Sequence, residues 1–273
     1  MQHRVGCKKD DNKANELCEM AFIKGSKLAE ALKHYYGWGT EVDVRKSFIM
    51  FKEMVDLDST HEKIETKYAV HYLGKSYFLE LGVKKDISKA VKYFEKARKY
   101  GISPSIFTLA VIYENGSEKD GIKKDEKKVL KYYLESINLN HVVSMYNLAL
   151  MYMDGREEIK KDFKKGFEYL NKSAEYEYDI AMIKLAQIYK NGDQENGIKK
   201  DINKAIEIFT KVSQQKNKKG FYNLALIYEE GDEEENFNKD LHKAVEYYKQ
   251  AINLGHAKSM VGLGLLYQGF FFF

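Results

Sequence analysis

Proline is almost missing from this sequence: Pro104 is the only one in 273 residues. Proline punctuates loops and is excluded from helix interiors and central strands, so its scarcity points to helices joined by short turns. Cysteine is nearly as rare. Cys7 and Cys18 alone cannot build a disulfide framework, and the expectation is a protein of a reducing compartment, the cytoplasm. Arginine stands only at Arg4, Arg45, Arg98 and Arg156, leaving lysine to supply the other 41 of 45 basic residues. Arginine is the side chain suited to bidentate reading of phosphate and guanine, so this bias argues against specific nucleic-acid recognition. Acids interleave with the lysines, and a net charge of +4 leaves no strong global field. Long apolar runs are absent as well. Nothing approaches the ~18 residues of a membrane-spanning helix. The opening MQHRVGCKKDD lacks the apolar stretch of a signal peptide, and the four phenylalanines at 270–273 are too few to span a bilayer. Membrane insertion is therefore not expected.

What is present is a repeat. Apolar residues make up 44% of the chain and aromatics 14%, enough for a substantial core. The pentapeptide GIKKD occurs at 121–125 and again at 197–201, with GVKKD at 82–86, EIKKD at 158–162 and GCKKD at 6–10. Aligned on the acid, the series runs Asp10, Asp43, Asp86, Asp125, Asp162, Asp201 and Asp240, the last four steps being 39, 37, 39 and 39 residues. A lysine follows three positions later each time, from Lys13 to Lys243. A small or modest residue comes next, as in Ala90, Val129, Gly166, Ala205 and Ala244. Large apolar residues stand seven and eight after the acid (Tyr93 and Phe94, Tyr132 and Tyr133, Ile208 and Phe209, Tyr247 and Tyr248), and a small residue usually stands eleven after it. Offsets of 4, 7, 8 and 11 form one stripe of an α-helix. Aspartate is a favoured N-cap, because its carboxylate accepts the unpaired N–H groups of the first turn.

A second series lies between these helices. Leu-Gly or Leu-Ala, with Tyr four after the Leu and Gly three after the Tyr, gives Leu109/Tyr113/Gly116, Leu148/Tyr152/Gly155, Leu185/Tyr189/Gly192 and Leu224/Tyr228/Gly231. Leu73/Tyr77, Leu263/Tyr267 and Leu32/Tyr36/Gly39 are looser members. A spacing of four stacks Leu over Tyr on one helical face, the small residue after Leu admits a close neighbour, and the Gly suits a left-handed C-terminal cap. Each repeat is thus two helices, here called A (the Leu–Tyr helix) and B (the helix after the Asp). From Asp to the next Leu is 23 residues in five successive cases, beginning with Asp86 to Leu109. From Tyr to Asp the distance varies, so length variation is confined to the A–B loop, apart from an insertion at 56–67. One fixed edge and one loop-bearing edge describe a solenoid. On this reading the GIKKD apolar residue plugs the loop into the core, its lysines are solvated and its Asp caps helix B. The lysine at the third helical position opposes the helix dipole, so its stem should pack or its ammonium should find a loop carboxylate.

The pattern A-x-x-x-L-G/A-x-x-Y-x-x-G, then G-I/V-x-x-D-x-x-K-A-x-x-Y-Y/F-x-x-A, resembles the Sel-one-like repeat (SLR), a longer-looped relative of the tetratricopeptide repeat. The resemblance covers nearly the whole chain, with 181–213 a clear example. Gly166 and Val129 depart from the usual Ala. The resemblance and the periods together give an all-α fold, a right-handed α-solenoid of two-helix repeats. Its expected organisation is a lone B helix in 1–27, six A–B pairs in 28–255, and a lone A helix in 256–273. Both ends lack a polar capping helix, so the expectation is a fragment or a chain that self-associates end to end. Cysteine-rich secreted members of the family carry Cys pairs repeat by repeat, and this chain does not.

No catalytic constellation stands out. GxSxG, HExxH, a Walker-type glycine loop and CxxC are missing, and neither a cofactor nor a metal is expected. His141 and His256 share a repeat register, which explains them without a metal. Cys18 occupies the offset of Phe94, Tyr133 and Phe209, so it reads as a small core residue. The acidic run at 229–235 (EEGDEEE) is either a solvated loop or a contact for a basic partner. Tyr77, Tyr113, Tyr152, Tyr189 and Tyr228 share one structural slot and read as core. Function is then left to the A-helix surface. Positions two before the Leu (His71, Phe107, Tyr146, Ile183, Tyr222, Val261) and two after it (including Leu150, Gln187, Leu226 and Leu265) should line a concave face. That face would serve as a peptide groove or as inter-repeat packing. The expected function is a non-catalytic scaffold or adaptor for protein–protein interaction, the alternative being the regulatory repeat region of a larger enzyme such as a signalling kinase.

Overall fold

The computed structural model describes residues 11–58, 60 and 62–270. The first pentapeptide copy with Cys7 and Asp10, and the phenylalanines beyond 270, lie outside them. Among the described residues the chain is helical, and its only β-pairings are three isolated bridges. It forms two compact units: Met1–Leu148 with Glu157–Ile159, and Ala149–Arg156 with Lys160–Phe273. The first holds α1 (Asp11–Ile23), α2 (Lys27–Tyr36), α3 (Val44–Leu57), α4 (Ile64–Leu79), α5 (Ile87–Lys99), α6 (Ser103–Asn115) and α7 (Glu126–Ile137). The second holds α9 (Phe163–Glu175), α10 (Asp179–Asn191), α11 (Ile202–Gln214), α12 (Lys218–Glu230), α13 (Leu241–Asn253) and α14 (Ala257–Phe270). The helix α8 (Val142–Asp154) contributes residues to both. Pro104 sits in the first turn of α6, where its missing N–H costs nothing.

Within each unit the core is built from the offsets the sequence repeats. The position eight after the acid is fully buried: Phe51, Phe94 and Tyr133 in the first unit, Leu170, Phe209 and Tyr248 in the second. The A-helix leucines Leu73, Leu109, Leu148 and Leu224 are equally buried, and the small residue after each lets the B helix close in. A Cβ on Gly74 would lie 2.7 Å from the Phe94 ring. Gly166, a departure from the repeat consensus, has the same cause: a Cβ there would lie 2.7 Å from the Ala149 carbonyl oxygen.

The joint between A and B recurs atom for atom. In each repeat the aspartate carboxylate accepts the N–H of the lysine three residues on, at 2.8–3.0 Å from Asp43–Lys46 to Asp240–Lys243. The aspartate N–H donates back to the carbonyl of the A-helix tyrosine, as from Asp125 to Tyr113 and from Asp201 to Tyr189. The lysine ammonium stands over that tyrosine ring, 5.4 Å from the Tyr77 centroid for Lys89, 4.3 Å for Lys128 on Tyr113, 4.4 Å for Lys165 on Tyr152, 4.1 Å for Lys204 on Tyr189 and 5.0 Å for Lys243 on Tyr228. These tyrosines are not the core the sequence suggested. All but Tyr152 are half-buried, each is capped by the lysine, and Tyr77, Tyr113, Tyr152 and Tyr228 stack on a B-helix tyrosine while Tyr189 meets Phe167 edge-on.

Three further expectations need correction. In α2 the Asp43 N–H donates to the His34 carbonyl, Gly37 is the C-cap and Ala31 is the fully buried small residue. The frame there is therefore His34/Gly37, two residues before Tyr36/Gly39. Gly37 is left-handed as expected (φ 74°, ψ 27°), but three later C-cap glycines are not. Gly116 (φ 67°, ψ 175°), Gly192 (69°, 170°) and Gly231 (64°, −170°) occupy a positive-φ extended region that is essentially closed to other residues. The extended ψ sends the chain into a small hairpin, bridged at Ser117–Ile122, Asp193–Ile198 and Asp232–Phe237. The pentapeptide's apolar residue is one leg of that bridge at Ile122 and Ile198, where it is half-buried.

Gly155 departs from its three counterparts, although the sequence placed all four in one slot. Its φ is positive at 72° and its N–H donates to the Met151 carbonyl at 3.0 Å, but no bridge follows it among the described residues. The physical reason is loop length. From Tyr152 to Asp162 is 10 residues, against 12 from Tyr113 to Asp125, Tyr189 to Asp201 and Tyr228 to Asp240. Two residues fewer leave no room for the hairpin, and Ile159 is fully buried instead of half-buried. Glycine is still required there, because a Cβ on Gly155 would lie 3.0 Å from Lys161 Cβ.

Candidate functional site

The A–B loops bind their predecessors. Asp120 accepts the Ile87 N–H at 3.2 Å, its carbonyl accepts Ser88 Oγ at 3.0 Å, and Glu158 pairs with Lys127 at 3.2 Å. In the second unit Lys200 bridges Asp232 and Glu234, and Lys190 pairs with Glu230 at 2.7 Å. The acidic run at 229–235 is therefore largely engaged within its own unit, and the second lysine of this GIKKD copy is not merely solvated. That edge of the fold is stitched.

The A-helix positions divide by depth. In the first unit His71 is buried, its Nδ1 2.7 Å from Ser105 Oγ, and burial holds its pKa down at about 4. Phe107 is half-buried against His141, 4.8 Å between ring centroids, and burial likewise lowers His141 to about 4. Tyr146 is half-buried, and burial raises its pKa. In the second unit Ile183 is buried, Leu150 half-buried and Gln187 exposed.

Tyr222 and Leu226 of α12 share a cleft with Val261 and Leu265 of α14, which obey the same spacing rule. The cleft holds about 360 Å³, and Glu229, Tyr248, Lys258 and Gly262 complete its lining. Tyr248 is its floor: 1% exposed, with its hydroxyl donating to Glu229 Oε2. Burial, then that carboxylate, raises the Tyr248 pKa and keeps the phenol protonated. At one end His256 packs at a tilt against Tyr222, 4.6 Å between centroids, with Nδ1 2.9 Å from Ser259 Oγ. The walls are apolar, since Val261 is 64% and Leu265 61% exposed. Apolar walls with a few polar groups at the ends have the make-up of a small binding cleft.

Tyr248, Glu229 and Lys258 were not among the positions the spacing rule selected, but one signal for the first two was available. Where the position eight after the acid is Tyr, in Tyr133 and Tyr248, the residue after the A-helix tyrosine is Glu114 or Glu229. Where it is Phe94, Leu170 or Phe209, that residue is Phe78, Met153 or Lys190. The two positions vary together because the phenol donates to the carboxylate, at 3.0 Å from Tyr133 to Glu114.

Among the described residues, no group of three His, Cys, Asp or Glu side chains could hold a metal, and no helix is long and apolar enough to cross a membrane. Cys18 is buried, its thiol donating to the Ala29 carbonyl at 3.3 Å, and burial followed by Glu19 raises its pKa. It is packing, and no thiolate nucleophile.

The Sel1 repeat profile matches residues 1–26, 27–59, 67–99, 103–141, 142–175, 179–217 and 222–256. No curated protein matches the chain. Among solved structures it is similar to a protective antigen of uropathogenic Escherichia coli strains displaying an SLR fold, with 25% identity and a TM-score of 0.66 over 93% of this chain. That match spans 52% of the antigen, about half its length. A Sel1 repeat protein from Oxalobacter formigenes superposes with a TM-score of 0.71 at 21% identity, over 95% of this chain and 71% of its own. With profile matches along most of its length, and the same aspartate N-cap at each repeat aspartate described, the chain belongs to the Sel1 repeat family, whose members are typically non-catalytic protein-interaction scaffolds.

Proposed function

We propose that the protein is an adaptor that holds a peptide segment of a protein partner on its A-helix surface. The observation that carries this reading is the cleft between α12 and α14. Two leucines, a valine and a tyrosine spaced two residues either side of the repeat leucine converge there on a buried tyrosine floor. Exposed apolar groups around a concavity are the usual mark of a binding surface. The stitched loop edge spends its charges internally, which leaves the A-helix face as the better surface for recognition. Phe107, Tyr146, Leu150 and Gln187 extend the proposed surface within their own units, whereas the burial of His71 and Ile183 fits them to packing beneath it. A cytoplasmic setting belongs to the proposal and fits the free thiol of Cys18.

The test compares pull-downs by the intact chain and by a Tyr146→Lys, Tyr222→Lys variant of matched thermal stability. Loss of the bound partners supports the reading, and unchanged binding overturns it. We extend the proposal to end-to-end self-association, because α14 exposes Met260 and Tyr267 in addition to its cleft residues. Light scattering at high concentration that shows a monodisperse monomer would remove that extension.

A further inference from the structure

The α12–α14 cleft is polarised in charge, and the polarity selects its occupant. At the end where Tyr222 meets His256, the charges that weigh on the imidazole are all ammoniums: Lys218, Lys258 and Lys219. Burial and then these three lysines hold His256 below its ordinary pKa. Lys218 Nζ also donates to the Gly255 carbonyl at 3.2 Å, which keeps its charge at the start of α14. Both α12 and α14 begin at this end, so their N-terminal dipoles add to the positive potential. The acids at the opposite end are engaged. Glu229 accepts the Tyr248 hydroxyl and Glu230 pairs with Lys190. A cationic ligand would have to break those contacts, whereas an anionic one meets the Lys258 ammonium on the cleft wall, with Lys218 and Lys219 close to the same end.

Gly262 sets how closely the walls approach. A Cβ there would lie 2.9 Å from Tyr248 Cζ, so the glycine lets α14 lie against the phenol and shapes a slot lined by Tyr222, Leu226, Val261 and Leu265. That slot fits one aliphatic or aromatic side chain.

We propose that this cleft binds an acidic-apolar peptide segment, with one aliphatic or aromatic side chain between Leu226 and Leu265 and neighbouring Asp or Glu side chains facing Lys218, Lys219 and Lys258. The inference rests on the adaptor reading of the same surface and adds the chemistry of the partner. Electrostatic complementarity of this kind sets specificity and makes binding sensitive to salt.

The test is selection of phage-displayed random 12-residue peptides on the full chain, followed by affinity measurement of the enriched peptides. The measurements use the intact protein, Leu226→Glu, the double variant Lys219→Glu, Lys258→Glu, and Lys131→Glu as a charge control, each checked by thermal melting. Enriched peptides should carry Asp or Glu beside an aliphatic or aromatic residue. Their Kd should weaken at least tenfold in Leu226→Glu and in the double reversal, and stay unchanged in Lys131→Glu. Binding should raise the His256 pKa, followed by imidazole NMR, because a carboxylate then faces the ring. Enriched peptides that are basic or neutral, or a double reversal that leaves Kd within twofold, would overturn the inference while a Leu226 dependence kept the adaptor reading. Loss of the Leu226 dependence, or no enrichment at all, would overturn both.

Discussion

The ammonium of Lys204 sits 4.1 Å from the centre of the Tyr189 ring, and the backbone N–H of the same lysine donates at 2.8 Å to Asp201. The aspartate N–H closes the loop onto the Tyr189 carbonyl at 2.8 Å. An aspartate, the lysine three residues on and the tyrosine across the A–B loop therefore make one closed joint between helices A and B. The joint also explains a lysine in the first helical turn, where the dipole disfavours it. The unfavourable end charge is offset by the ring face and, at Lys89, Lys128 and Lys243, by a 3.2–3.4 Å return to the capping carboxylate.

The joint should be measurable as a coupling. Asp201→Ala removes an N-cap and should cost ~1 kcal/mol of stability. A double-mutant cycle on Lys204→Met and Tyr189→Leu should return a coupling of ~0.5–1 kcal/mol, the range of an exposed cation–π contact. Urea denaturation of the four proteins gives the number, and a coupling indistinguishable from zero would reduce the lysine to a solvated side chain.

Backbone conformation predicts opposite signs at two surface positions. Gly192 is in the positive-φ extended region, and a Cβ on it would meet the Lys200 amide nitrogen at 3.0 Å. Gly192→Ala should destabilise by ~1–3 kcal/mol. Lys216 turns from α11 to α12 at φ 58°, a left-handed conformation that strains a side chain. Lys216→Gly should be neutral or stabilise by up to ~1 kcal/mol, unlike most glycine substitutions. Melting temperatures of the two variants should move in opposite directions.

How much of the fold is legible in the sequence is clear at these same sites. Asp201 and Lys204 are visible because the joint repeats them three residues apart, and Tyr189 because it stands four after its A-helix leucine, so a single sequence carries its own alignment. The conformation of Gly192 is not. Sequence shows that glycine is required and cannot show whether ψ is helical or extended, which the hairpin decides. Gly155 makes the same point in reverse, since its slot looks identical and only the shorter loop behind it sets it apart. The frame of α2 is hidden because Leu32 and Tyr36 imitate the Leu–Tyr spacing, whereas Glu30 and His34 hold the slots. Phe107 and His71 obey the same spacing rule, and their depth depends on neighbours, His141 and Ser105, that no period encodes. The cleft floor at Tyr248 looks like ordinary core until its hydroxyl has a carboxylate beside it.

Close packing between consecutive repeats gives a prediction at Gly220, the fourth residue before the repeat leucine of α12. A Cβ there would lie 2.7 Å from the Ser213 amide nitrogen on α11. Gly220→Ala should cost ~1–3 kcal/mol as an overpacking change, even though alanine is the better helix former. A stabilised variant in thermal unfolding would show that the two helices separate freely at this crossing.

The buried imidazoles predict an acid limb in the stability of the first unit. His71 and His141 both fall to about 4 in the folded state, from an ordinary value near 6.5. Between those values the unfolded chain binds more protons, so stability is complete above about pH 6.5 and falls as the pH drops toward about 4. At these values the loss should approach ~3 kcal/mol for each imidazole by about pH 4. Replacing both with glutamine should flatten urea midpoints across this window relative to the unchanged protein, and an unaltered slope would assign the acid limb to other groups.

The central claim is that the A-helix cleft, and not the loop edge, holds the partner. Methyl NMR of the full chain titrated with a phage-selected peptide tests it most directly. The account predicts that the Leu226, Val261 and Leu265 methyl signals shift and saturate together, while Ile122, Ile159 and Ile198 in the loops stay in place. Shifts confined to those loop isoleucines, with the three cleft residues unmoved, would contradict it.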